Sequence, residues 1–248
     1  SADGGSPVQI TQEPYNHTSF DWMKNNKKII FNSNYTEDWE YDFRNSELYT
    51  INIDGTEQKQ LTTRKGPDYG GLVSPDGKKI AYLGYNTKVQ TYQVNRLYLM
   101  NINGTEKKEI KTNLDRNLSS LSWSSDGKGL YFKYDNQGNG KIGYVSLSGK
   151  TKKIADNLGG TSIGRPYGGG SYSKSNSDHM VFTKTTPYHP SDIAYFYGKK
   201  STRITNLNYD LLSNRDLGKV EEIWYNSSID GRRIPVSYTH LRAHETRI

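Results

Sequence analysis

Three groups of residues in this 248-residue chain are of types that could do chemistry. Gly160-Thr161-Ser162-Ile163-Gly164 fits the Gly-x-Ser-x-Gly nucleophile elbow, in which a sharp strand-to-helix turn presents a serine oxygen to an acyl carbon. The residues that follow, Arg165-Pro166-Tyr167-Gly168-Gly169-Gly170, cannot open a helix. Ser162 therefore reads as part of a glycine-rich connection, and no catalytic residue is assigned. The second group is Glu37, Asp38, Glu40 and Asp42, interleaved with Trp39 and Tyr41. Carboxylates clustered near aromatic faces attract an ammonium group, although a solvated acidic loop has the same composition. The third is His17, His179 and His189, which share neither metal-ligand spacing nor a carboxylate at a suggestive offset, so no metal is expected. The absence of cysteine excludes a disulfide framework, a thiolate zinc site and a cysteine nucleophile. Nothing calls for a cofactor.

The elements that must position these groups are strands. Only 32% of residues are hydrophobic, yet 12% are aromatic, with 20 tyrosines, as in a chain that spends large residues on half-buried β faces. A repeat then sets the architecture. Lys27-Lys28-Ile29-Ile30-Phe31, Lys78-Lys79-Ile80-Ala81-Tyr82, Lys128-Gly129-Leu130-Tyr131-Phe132 and Asp178-His179-Met180-Val181-Phe182 recur at intervals of 51, 50 and 50. Seven or eight residues before each anchor stands Trp22, Val73, Trp123 or Tyr172. Two of these lead into Ser74-Pro75-Asp76-Gly77 and Ser124-Ser125-Asp126-Gly127, which are tight-turn sequences. A second hairpin follows in each unit, turning at Asp54-Gly55, Asn103-Gly104, Ser148-Gly149 and Gly198. Met23, Met100 and Met180 fall at strand positions and read as packing residues.

Four strands and about 50 residues per unit describe the blades of a β-propeller. The expectation is an all-β fold, a partial β-propeller of four four-stranded antiparallel blades in an open arc. The A–B and C–D turns then lie at one end of each blade and the long connections 32–46, 84–95 and 157–170 at the other, the end that carries recognition. Asp3-Gly4-Gly5 with Gln9-Ile10-Thr11 matches Asp54-Gly55-Thr56 with Gln60-Leu61-Thr62, so the chain is expected to open inside the last hairpin of an earlier blade. Val236-Ser237-Tyr238-Thr239-His240-Leu241-Arg242-Ala243-His244-Glu245-Thr246 breaks with everything before it and reads as an in-frame translation of a sequencing adaptor, so 235–248 is set aside as non-native.

The formal charge of +7 is scattered as short Lys-Lys pairs rather than gathered in a stripe, so nucleic acid is not an expected partner. No apolar run approaches the roughly 20 residues that span a bilayer, so no membrane segment is expected. Each blade-to-blade contact is expected to bury large apolar residues of the Trp22, Trp123 and Phe132 kind; four blades in an open arc leave the first and last without a neighbour on one face, and the chain is expected to self-associate.

The block 74–82, the loop 36–42, Gly164-Arg165-Pro166-Tyr167 and above all Val220-Glu221-Glu222-Ile223-Trp224-Tyr225 with Asp230-Gly231-Arg232 resemble the prolyl oligopeptidase family of serine peptidases. The branch with the greatest likeness is that of dipeptidyl aminopeptidases and acylaminoacyl-peptidases. The resemblance implies a propeller segment over 1–208, a connection over 209–234 into an α/β-hydrolase domain, and a Ser-Asp-His triad lying in that domain. It implies a propeller that gates and helps select oligopeptides, with Glu37, Asp38, Glu40 and Arg165 as substrate-binding candidates. The alternative is a TolB-type propeller acting as a protein-binding scaffold, since the blade signature is common to both.

Overall fold

The computed structural model describes residues 4–160, 169–198 and 200–239. Its strands form four antiparallel meanders. The first is β1 (His17–Trp22), β2 (Lys28–Ser33), β3 (Glu47–Asn52) and β4 (Lys59–Gln60), paired in that order. The second is β5 (Asp68–Val73), β6 (Lys79–Gly84), β7 (Arg96–Asn101) and β8 (Lys108–Ile110). The third is β9 (Ser119–Trp123), β10 (Gly129–Asn136), β11 (Asn139–Ser146) and β12 (Thr151–Leu158). The fourth is β13 (Tyr172–Lys174), β14 (Met180–Thr186), β15 (His189–Tyr197) and β16 (Lys200–Arg203). The repeat anchors sit at equivalent places, with Trp22 opposite Ile29, Val73 opposite Ile80 and Trp123 opposite Leu130.

The fourth blade departs from this register. Lys174, not Tyr172, faces Met180, because the turn is one residue shorter: Ser175 N donates to His179 O, where Ser74 N reaches Lys79 O. The left-handed position that Gly77 (φ +75°) and Gly127 (φ +67°) fill is taken there by Asp178 at φ +61°, a residue type that tolerates it.

The chain divides into two compact units, 1–134 with 143–152, and 135–142 with 153–248. In the first, the period of two buries both faces of a blade. Ile80 and Tyr82 of β6 face Ile30, Leu48 and Leu61 of the first blade, while Ala81 and Leu83 join Trp123, Leu130 and Phe132. Full burial of a side chain such as Ile30 or Ile80 contributes roughly 1.5–3 kcal/mol. Gly71 lets β5 approach closely, since a Cβ there would stand 2.7 Å from Ile30 Cδ1. Polar bonds cross the same seams: Val73 N donates to Asp21 Oδ2 at 2.8 Å, and Trp123 Nε1 to Leu72 O at 3.1 Å. Trp123 is 7% exposed and Phe132 1%, as expected for blade contacts, whereas Trp22 is 56% exposed, since no strand precedes β1 among the described residues.

In the second unit, β14 and β15 pair from Met180↔Phe196 to Thr186↔His189, and Leu158 of β12 pairs with Lys184. Buried residues there include Ile142, Leu158, Met180, Phe182 and Ala194. After β16 come a four-residue helix α1 (Tyr209–Leu212) and a hairpin of β17 (Val220–Asn226) with β18 (Arg233–Thr239), registered from Asn226↔Arg233 to Val220↔Thr239. The hairpin takes in residues 235–239, which their composition had marked as foreign to the repeat. Ladder pairing asks only for β-tolerant residues, and Val, Ser, Tyr and Thr qualify.

Of the expected long connections, 32–46 and 84–95 are present as 34–46 and 85–95, between the second and third strands of the first two blades, while 157–170 begins within β12 and falls largely outside the described residues. The same junction in the third and fourth blades is tight, at Gln137-Gly138 and Pro187-Tyr188.

Candidate functional site

The loop 34–46 is clasped at its base by one side chain. Asn34 Oδ1 accepts from Thr36 N (3.1 Å) and Thr36 Oγ1 (2.7 Å), while Asn34 Nδ2 donates to Asp42 O (2.8 Å). Between these anchors Tyr41 N and Asp42 N both donate to Asp38 O at 2.8 Å, closing a turn. The turn brings Glu37, Asp38 and Glu40 together on exposed backbone with Asp42 half-buried, and among the described residues none of the four makes an ion pair. Trp39 is held edge-on against Tyr15 at 5.7 Å, and Tyr15 in turn against Tyr35 at 4.8 Å. Tyr35 Oη and His17 Nε2 lie 2.7 Å apart, so His17 belongs to this aromatic stack. Glu40, Trp39 and Phe43 border a pocket of about 280 Å³ whose other wall is Asn16, Thr18 and Asn32. Unpaired carboxylates beside aromatic rings suit a small cation or ammonium group. Arg165 and Ser162 lie outside the described residues.

Beneath the two long loops is a buried charged cluster for which the sequence offered no signal. Glu47 opens β3, Asp68 opens β5, and Arg64 lies between β4 and β5; Glu47 is 7% and Asp68 1% exposed. Arg64 Nε stands 2.9 Å from Asp68 Oδ1, and its guanidinium stacks on the Tyr98 ring with the carbon 3.9 Å from the centroid. Thr62 is fully buried and its Oγ1 accepts from Leu48 N at 2.9 Å. The guanidinium pairs with Asp68, while Glu47 makes no ion pair among the described residues and meets Arg64 through its backbone. Burial pushes Glu47 up to about 7, with Asp68 adding to it, and pushes Asp68 up to about 6 against the pull of Arg64. Glu47 Oε2 finds no hydrogen-bond donor among the described residues, as suits a carboxyl that keeps its proton.

His189, for which no carboxylate partner was expected, has one. Its Nδ1 lies 3.8 Å from Asp192 Oδ2, and Arg203 Nη1 lies 3.4 Å from the same oxygen. The three residues border a second-unit pocket of about 210 Å³ with Tyr188 and Tyr209. An offset of three along a strand places side chains on opposite faces, so the sequence carried no signal for this pair; the ladder irregularity beside His189 brings them together. His179 bonds Tyr195 Oη at 2.8 Å. Among the described residues no group of three or more His, Cys, Asp or Glu is placed to hold a metal ion.

No protein-family model matches the chain. Among sequence relatives, dipeptidyl-peptidase 5 of Arthroderma otae is 28% identical over 153 residues, covering 55% of this chain and 21% of its own length. The chain therefore spans about a fifth of the length of the curated relatives it matches. Among solved structures, Pyrococcus horikoshii acylaminoacyl peptidase superposes with a TM-score of 0.67 at 16% identity, covering 89% of this chain and 32% of that one. TolB from Acinetobacter baumannii superposes with a TM-score of 0.55 at 18% identity, over 78% and 44% of the two chains. The fold class is a β-propeller of four-stranded blades. Sequence relatives and fold together support a propeller segment of the prolyl oligopeptidase family of peptidases.

Proposed function

We propose that this chain is the propeller of a serine peptidase acting on oligopeptides, admitting and orienting substrate for a hydrolase domain. The observation that carries this reading is the 28% identity to dipeptidyl-peptidase 5 over 153 residues. In it, residues 1–208 are propeller, 209–234 lead into the hydrolase domain, and 235–248 are adaptor-derived. Glu37, Asp38 and Glu40 hold the substrate's N-terminal ammonium against the Trp39 side of the loop, with Arg165 as a further contact. Their support is the turn at Asp38 and the absence of competing ion pairs among the described residues. No nucleic acid, membrane or cofactor enters the mechanism.

The test is kinetic. In the full-length gene product, alanine at Glu37, Asp38 or Glu40 is expected to raise KM for free-N-terminus peptides about tenfold, the order of one charge-assisted hydrogen bond, and to leave N-acetylated peptides unchanged. Equal effects on both return the loop to a solvated surface. The TolB superposition favours a second reading, a protein-binding scaffold, and a full-length product that hydrolyses no peptide would select it.

Self-association belongs to the proposal through the exposed Phe20 and Trp22, 62% and 56% accessible on the same strand. Sedimentation across a concentration series is expected to show oligomers that Trp22→Ser weakens. A monomer at every concentration overturns it.

A further inference from the structure

A pocket of about 700 Å³ lies in the first unit between β5 and β9, bordered by the 85–95 loop and by Arg44. This is the size of clefts that hold small ligands, ~300–1,000 Å³. No acidic side chain lines it, and its one cation is Arg44. Among the described residues Arg44 makes no ion pair; its guanidinium carbon lies 5.2 Å from the Phe43 ring centre. A guanidinium so placed offers a planar fork that matches a carboxylate.

Two tyrosines add donors, and the reason is a chain of asparagines. Asn95 is 6% exposed, and its Oδ1 accepts from Leu118 N at 2.9 Å, which fixes the orientation of the amide. Its Nδ2 must then donate, to Leu118 O at 2.7 Å and to Tyr69 Oη at 2.9 Å. Asn117 repeats the device: its Oδ1 accepts from Asn95 N at 2.8 Å, so its Nδ2 donates to Tyr92 Oη at 3.1 Å. Each phenol oxygen is engaged as an acceptor, and each phenol proton is left to donate to a ligand in the pocket. Burial raises the Tyr69 phenol above its usual value, so it remains a donor at neutral pH.

We propose that this pocket binds the carboxylate of a peptide, held by Arg44, Tyr69 and Tyr92. Leu72 and Leu121 line the same space and suit the apolar remainder of an organic acid rather than an inorganic anion. The loop that supplies Arg44 also carries Glu37, Asp38, Glu40 and Asp42, so one loop presents both charges of a short zwitterionic peptide. The peptide character of the ligand rests on the function proposed above; the carboxylate recognition does not.

The experiment is calorimetric titration of the purified chain with tetra-alanine in four forms: free, N-acetylated, C-amidated and doubly blocked. Ala-Ala-Glu-Ala-amide with a free N-terminus is the fifth ligand. C-amidation is expected to weaken binding about tenfold. Arg44→Gln should bind acid and amide alike, and Tyr69→Phe and Tyr92→Phe should lose part of the preference. Arg44 is exposed, so its variant keeps the fold. Loss of affinity on amidation alone upholds this site and removes the ammonium role of Glu37, Asp38 and Glu40. Loss on acetylation alone, or an Arg44→Gln chain that still prefers the acid, overturns the site and leaves that role standing. Binding of the glutamyl amide as tightly as the free acid assigns the pocket to acidic side chains, and weaker binding assigns it to the terminal carboxylate; both uphold it. No binding of any form overturns both readings.

Discussion

Raising the pH from about 5 to about 8 is expected to lower the thermal midpoint of the chain by roughly 4–8 °C, and Glu47→Gln to remove most of that change. The sign follows from which state holds the proton. In the folded chain Glu47 titrates at about 7 and Asp68 at about 6, against ordinary values of 4.5 and 3.8 that apply once the chain unfolds. Between those values the folded state binds more protons than the unfolded one, so this contribution is full below the ordinary values. It is lost as pH rises through about 6 and 7. A tenfold change in proton affinity corresponds to about 1.4 kcal/mol; because the Asp68 charge itself raises Glu47, the two shifts do not add, and the joint effect is on the order of 2 kcal/mol. Glutamine keeps the shape of a protonated glutamate and cannot ionise, so the variant gains at the alkaline end. Asp156 and Asp192, held below the usual carboxylate range, lose their contribution only as pH falls below about 4, outside this window. Calorimetry at stepped pH reads the result, and a wild-type midpoint that is flat or rises from pH 5 to 8 would sink it.

Asp192→Ala is expected to destabilise the second unit by about 3 kcal/mol, with Asp192→Asn losing less. Asp192 is 3% exposed and is the hub on which β15 holds the segment leading to α1. Its Oδ1 accepts from Thr205 Oγ1 at 2.9 Å and from Leu207 N at 3.0 Å, and its Oδ2 faces Arg203 and His189. Burial pulls the carboxyl up, but these hydrogen bonds and charges hold it below the usual range. Removing the acceptor takes the charged partner from the half-buried Thr205 hydroxyl and from the amide of the exposed Leu207, about 1.5 kcal/mol for each hydrogen bond to a charged group, and leaves Arg203 unpaired. Arg203 is 35% exposed, so its share is small. Denaturant titration measures the loss, and hydrogen exchange localises it: the Leu207 amide should exchange faster while Ile80 in the first unit does not. An unchanged Leu207 rate would show that the carboxylate is not what holds this segment.

The blades were legible because each strand states its own face. Ile80 and Tyr82 against Ala81 and Leu83 is an alternation readable without any partner, and the spacing of Ile29, Ile80 and Leu130 repeats the unit. The short turns were equally local, since Ser74 Oγ to Asp76 Oδ1 (2.6 Å) and Ser124 Oγ to Asp126 Oδ1 (2.7 Å) form within the four residues that predicted them. The acidic loop was legible as a cluster, but its use was not. That Asn34 would clasp Asp42 depends on how the loop closes on itself, and that Trp39 would lie against Tyr15 depends on a residue ahead of β1.

Periodicity and turn chemistry, both properties of neighbouring residues, are therefore what the amino-acid sequence by itself determined: an all-β chain of four similar blades with long connections at one end. Tertiary structure decided everything that depends on which blade lies beside which. Trp22 and Trp123 hold equivalent places in the repeat, yet one is open and the other donates to Leu72 O of the adjoining blade. Glu47, Arg64 and Asp68 come from separate strands and connections, and only their burial at one seam turns ordinary carboxyls into groups that titrate near neutrality. The donor pair at Tyr69 and Tyr92 exists because Asn95 and Asn117 are each oriented by a backbone amide, at Leu118 and at Asn95. A hydrogen bond's direction depends on which partners share a buried space, and that is fixed only when the blades pack.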